Sequence, residues 1–151
     1  MLVLKYVFVV LHIITAAAWF GLALPTARRA RTAAVGGTGA AGIAADGVRT
    51  AKMLVIFSVL TLVFALGAFS LGIMAQGAGA YGWPFHTALL LILGLVAVSF
   101  GLIGPGWKTL NAGDSSGAKR VAMGAGIGHA LWLIILVLMF WDDFQVAFAT
   151  L

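Results

Sequence analysis

Between Met53 and Met74 the chain carries no charged residue and thirteen Leu, Ile, Val or Phe side chains. Each such residue contributes about −0.3 to −0.6 kcal/mol to insertion at the centre of a membrane helix, so the stretch sums to roughly −4 to −8 kcal/mol. Three more runs follow the same pattern. Leu2–Leu24 is interrupted only by Lys5 and His12 and ends at Pro25; His86–Gly104 stops at Pro105-Gly106; Val121–Trp141 is closed by Asp142-Asp143. As helices, all four are long enough to cross about 30 Å of hydrocarbon. With 63% hydrophobic and 9% charged residues, the chain lacks the polar surface that a water-soluble globule needs.

The expectation is therefore all-α: an integral membrane four-helix bundle forming one domain over residues 1–151, with spans at about 2–24, 53–74, 86–104 and 121–141. The cations set its orientation. Arg28, Arg29, Arg31, Arg49 and Lys52 lie between spans one and two, and Lys108, Lys119 and Arg120 between spans three and four. Only Lys5 lies at the other end, and the loop Ala75–Phe85 has no cation. The positive-inside rule then makes 25–52 and 105–120 cytoplasmic loops and puts both termini on the outer, periplasmic side of a bacterial inner membrane. Arginines directly after the first run oppose its export as a cleaved leader. Tyr81, Trp83 and Trp141 fall at the outer interface and Trp107 at the inner one. This arrangement also accounts for the net charge of +5 without nucleic acid, because no basic stripe is interleaved with stacking aromatics.

The first loop, Thr26–Ala51, is rich in Ala and Gly and close in composition to a flexible linker, with a short surface helix possible over Gly39–Lys52. Phe20-Gly21-Leu22-x-x-Pro25 and Phe100-Gly101-Leu102-x-x-Pro105 stand eighty residues apart. Two helical hairpins arranged as a parallel repeat and convergence on the same helix-end sequence account for the match equally well.

Ionisable groups inside a span are costly and usually functional. His12 lies about 15 Å below the outer end of the first helix and His129 about 18 Å below Trp141, at 1.5 Å per residue. At these depths both imidazoles reach one ligand if the first and last helices are neighbours. Phe8, Val9, Thr15, Ala16, Trp19 and Ala23 share the His12 face; Ala122, Ala125, Gly126, Trp132, Leu133 and Leu136 share the His129 face. Thr15, Ala16, Ala125 and Gly126 leave room for a flat, wide ligand. Gly124 and Gly128 form a small-xxx-small pair on another face, suited to close helix packing.

Three readings of the deep pair stand side by side. His12 and His129 are the axial, iron-binding ligands of a b-type haem; they serve ligand binding or proton transfer without haem; or each bonds a neighbouring helix's backbone or hydroxyl, for instance at Thr61 or Ser58. Lys5, on the His12 face about 10 Å nearer the outside, either balances haem propionates or snorkels to the headgroups. His86 begins the third span at the outer interface, as a solvated helix-start residue or as a partner for a propionate or quinone carbonyl. His86 with Met1, Met74 and Met139 would also suit Cu(I). The chain has no Cys and no Glu, and Asp46, Asp114, Asp142 and Asp143 all lie outside the spans. Covalent haem attachment and paired-carboxylate chemistry are thereby disfavoured.

The segment Leu4-Lys5-Tyr6…Leu11-His12-Ile13-Ile14…Trp19-Phe20-Gly21-Leu22, followed by arginines, resembles the first helix of a group of bacterial membrane proteins. The group comprises the copper-resistance D family, the HemJ-type protoporphyrinogen oxidases and small four-helix relatives. The resemblance implies a helical bundle and a haem-ligand role for His12. The leading expectation is a haem b-binding, electron-transferring subunit of a larger membrane complex, docked on other subunits or on copies of itself. A cofactor-free accessory subunit comes second, and copper handling or small-solute transport third. Enzymatic activity is left open, with a non-enzymatic role favoured; if present, it would be that of a membrane oxidoreductase.

Overall fold

Pro25 and Pro105 end spans, but neither ends a helical rod. Proline lacks the N–H that an interior helical position must donate, yet its fixed φ suits a first helical turn. In the computed structural model, which describes residues 2–77, 79 and 81–141, α1 (Leu2–Ala23) passes through a turn at Pro25 into α2 (Thr26–Val35). The chain then turns through Gly36, Gly37 and Gly39, whose positive φ angles favour glycine. From there α3 (Ala40–Gln76) runs unbroken through the second span. On the far side of the Tyr81 loop, α4 (Trp83–Val98) gives way to a π-helical turn at Ser99–Ile103 and to α5 (Gly104–Asn111). The last rod is α6 (Gly117–Met139).

The segment between the first two spans is therefore helical. Its alanines, the best helix formers, outweigh the scattered glycines, and Arg29 ties α2 to Asp46 of α3 through an ion pair. The third span likewise continues past Pro105 to Asn111. Four rods, Leu2–Val35, Ala40–Gln76, Trp83–Asn111 and Gly117–Met139, are long and apolar enough to cross a membrane. Asp142 and Asp143, expected to close the last span, lie outside the described residues, as does Met1.

The bundle is apolar outside and partly polar within. Val3, Tyr6, Val10, Leu90, Leu133 and Ile134 are exposed, whereas Thr15, Thr26, Ser58, Thr61 and Ser99 are buried. Each buried hydroxyl bonds a carbonyl three or four residues back along the same rod, as in Ser99 Oγ to Leu95 O at 2.9 Å and Thr61 Oγ1 to Phe57 O at 2.7 Å. Such back-bonding lets hydroxyls sit in an interior without water.

Hairpin α1–α3 faces hairpin α4–α6, while α2 lies on α6 and α5 on α3. Trp19 Nε1 donates to Ser99 Oγ at 3.1 Å, joining two residues that immediately precede the matched Phe-Gly-Leu segments. Small residues allow the closest approaches. Trp107 of α5 lies on Gly47 of α3, Trp19 of α1 lies on Gly128 of α6, and Gly124 faces Leu102 and Ile103.

Candidate functional site

His12 is buried at 5% exposure on the inner stripe of α1, with Thr15, Trp19 and Ala23. Its Nδ1 stands 2.9 Å from the backbone carbonyl of Thr61 on α3. A carbonyl only accepts, so Nδ1 carries the proton and Nε2 keeps the lone pair. Thr61 Oγ1 also meets Thr15 Oγ1 at 3.1 Å, which pins α1 to α3 beside the ring. The backbone-bonded alternative is thus realised at one nitrogen of His12, and the other nitrogen remains for a ligand.

Two cavities share His12, Ile92 of α4 and Met139 of α6. The larger, about 290 Å³, lies between α1 and α6, with Ala16, Ala17, Trp132 and Leu136 in its wall. The smaller, about 100 Å³, extends toward the second loop past Ala65, Ala68, Phe69 and Tyr81. Both have His12 in an almost wholly apolar wall, and the two form an apolar slot bordering the imidazole. Small alanines line it, and exposed Ile13 and Phe140 stand at its outer edge.

Lys5 lies at the Tyr81 end of this slot. Its Nζ is 3.5 Å from Gln76 Oε1 and 5.6 Å from the centroid of the Tyr81 ring. It is therefore held by α3 and the second loop, at the rim of the smaller cavity.

The structure does not bring His129 to His12. The His129 ring packs edge-on against Phe20, 5.2 Å between centroids, and against Trp19 at 6.1 Å. Those residues lie seven and eight positions beyond His12, about 10 Å further along the helix. Between the two levels stands Trp132, stacked on Phe20 at 4.4 Å with Nε1 donating to Ala16 O at 3.2 Å. This corrects the expectation of two imidazoles at one depth gripping one ligand. The depths were reckoned from helix ends as though those ends were level. In fact Met139, the last residue of α6, lines the same cavities as His12, ten residues into α1. His129 is only half-buried at the edge of the packed face of α6, and Gly126 beside it is exposed. Its Nε2 is sealed and has no partner among the described residues.

His86 also lies apart from the slot. It is exposed, its Nδ1 donates to Gly82 O at 3.0 Å, and its ring meets the edge of Phe69 at 5.3 Å. Met74 is 70% exposed, while Met139 is half-buried and lines both cavities with His12. The outer methionine–histidine cluster is not assembled among the described residues, and Met1 falls outside them. Sequence reasoning placed Met139 only with the surface methionines. The signal that finds it is helical spacing, because seven residues after Trp132 returns to the same face.

Comparison with family models, curated proteins and solved structures finds no match to this chain. Fold and site define its class: among the described residues the chain is all-helical, with four helices long and apolar enough to cross a membrane and a buried histidine, His12, beside an apolar slot.

Proposed function

We propose that this is a multi-pass protein of a bacterial inner membrane that holds a b-type haem beside His12 and relays electrons within a larger membrane assembly. The carrying observation is the state of His12, with Nδ1 tied to the Thr61 carbonyl, the Nε2 lone pair without a hydrogen-bond partner among the described residues, and the ring in the wall of an almost wholly apolar slot. A backbone bond to the remote nitrogen fixes tautomer and ring orientation, as metal-ligating histidines require. The donor set fits the group. His12 would supply an imidazole nitrogen, and Met139, which lines both cavities with it, a thioether. Lys5 at the slot's rim would supply positive charge for the group's carboxylates. His129 has no place in this set.

When bound, the haem supplies one-electron chemistry. The chain's own contribution is to orient the imidazole, exclude water with Ile92, Ala88 and Trp132, and place a cation at one end. The cation bias puts the Arg28–Lys52 end in the cytoplasm and Lys5 outside. The slot's modest volume, near the lower bound of ligand sites, favours a second reading: a quinone bound in its reduced form, whose quinol hydroxyl donates a hydrogen bond to Nε2.

A visible spectrum of protein purified from haem-replete cells tests the proposal. The account expects a b-type spectrum that His12→Ala abolishes and His129→Ala retains. Colourless wild-type protein that takes up no added haem would overturn the haem reading. A quinone extracted from wild type but absent from His12→Ala would put the second reading in its place.

A further inference from the structure

A second cavity, about 400 Å³, opens at the basic end between α3 and the π-helical turn that leads into α5. Val55, Ile56, Phe100 and Pro105 give it apolar walls, and Lys52 and Lys108 stand on its two sides. The local sequence creates this gap. The π-helical turn at Ser99–Ile103 takes in an extra residue per hydrogen-bonded ring, which displaces α5 relative to α4. Pro105, at the start of α5, offers no N–H to close it again. Beyond the lysines, Trp107 on Gly47 seals α5 against α3.

Both lysines are exposed, and neither is paired with a carboxylate among the described residues. Asp46 is engaged by Arg29, and Asp114 accepts the Ser116 N–H. The groove thus presents an apolar trough about one turn deeper than two free ammonium groups. That is the profile of one acyl chain ending in an anionic headgroup.

We propose that this groove binds an anionic glycerophospholipid, with its phosphate between Lys52 and Lys108 and an acyl chain along Val55, Ile56 and Phe100. The site is independent of the slot at His12. Each lysine near an anionic headgroup contributes about fivefold to binding, so the pair contributes about thirtyfold.

The test is native mass spectrometry of the full chain in detergent, titrated with phosphatidylglycerol and phosphatidylcholine of the same chain length. Wild type is expected to hold phosphatidylglycerol about thirtyfold more tightly. Lys52→Gln/Lys108→Gln should lose that preference while keeping its helical content and its affinity for phosphatidylcholine. Lys119→Gln, outside the groove, should keep it. Equal affinity of wild type for the two lipids would overturn the proposal. So would an undiminished preference in the double variant, or full displacement by inorganic phosphate at constant ionic strength, which would mark a phosphate site with no part for the acyl chain.

Discussion

Two imidazoles placed in spans meet the demand for partners in different ways. His12 donates through Nδ1 to the Thr61 carbonyl and keeps Nε2 beside the slot, whereas His129 lies under two aromatic rings with Nε2 unpartnered. Small residues nearby determine which surfaces close. A Cβ at Gly128 would collide with the Trp19 indole, while one at Gly126 would meet open space. Gly128→Ala should therefore cost about 1–3 kcal/mol of stability through overpacking, whereas Gly126→Ala should be neutral or gain up to about 1 kcal/mol from helix propensity. Thermal unfolding in detergent compares them, and equal midpoints would contradict the packing described. The inward aim of His12 was legible from its spacing to Thr15, Trp19 and Ala23. That of His129 was not, because its face borders both the bundle and the lipid and its neighbours are small on either side. The carbonyl that orients His12 leaves no side-chain signature at all.

Among the elements, the helices that continue past Pro25 and Pro105 carry the contacts between hairpins. Gly47→Val would force a branched side chain into the Trp107 ring and should lower stability by at least the ~1–3 kcal/mol of overpacking. Asp46→Asn removes an exposed ion pair of α2 with α3 and should change stability by no more than about 1 kcal/mol. Chemical denaturation of both variants checks the order; a larger loss from Asp46→Asn would contradict it. In the turn before α6, the Ser116 N–H bonds Asp114 at 2.8 Å and holds its carboxyl below the usual carboxylate value. A lowered folded value adds stability that is present above the unfolded value and lost as pH falls through the folded one. Amide protection at Ser116 should thus stay level from neutrality down to about pH 5. A fall within that range would contradict the bond. The stretch 26–52 read as a linker because Gly and Ala dominate it. Only Gly36, Gly37 and Gly39 actually break the helix, and composition does not distinguish them from Gly42 and Gly47, which lie within α3.

The whole molecule is a two-hairpin bundle with an apolar exterior and a polar interior stripe, and its four rods were legible because insertion thermodynamics depends on composition alone. The register between α1 and α6 was not. Hydropathy marks where a helix lies in the membrane to within a turn or two, whereas contacts such as Trp132 with Ala16 set which residues meet. A chain without cysteine suits single-cysteine labelling of its orientation. An impermeant maleimide applied to intact cells should label Gly79→Cys in the second loop and spare Thr32→Cys at the basic end. The reverse pattern would contradict the proposed topology. The central claim, that His12 presents Nε2 to a ligand in the slot, is tested most directly by His12→Gly purified with and without imidazole in the buffer. The account predicts loss of the b-type spectrum in the variant and its return when free imidazole occupies the vacated space. A His12→Gly spectrum identical to wild type without imidazole would contradict it.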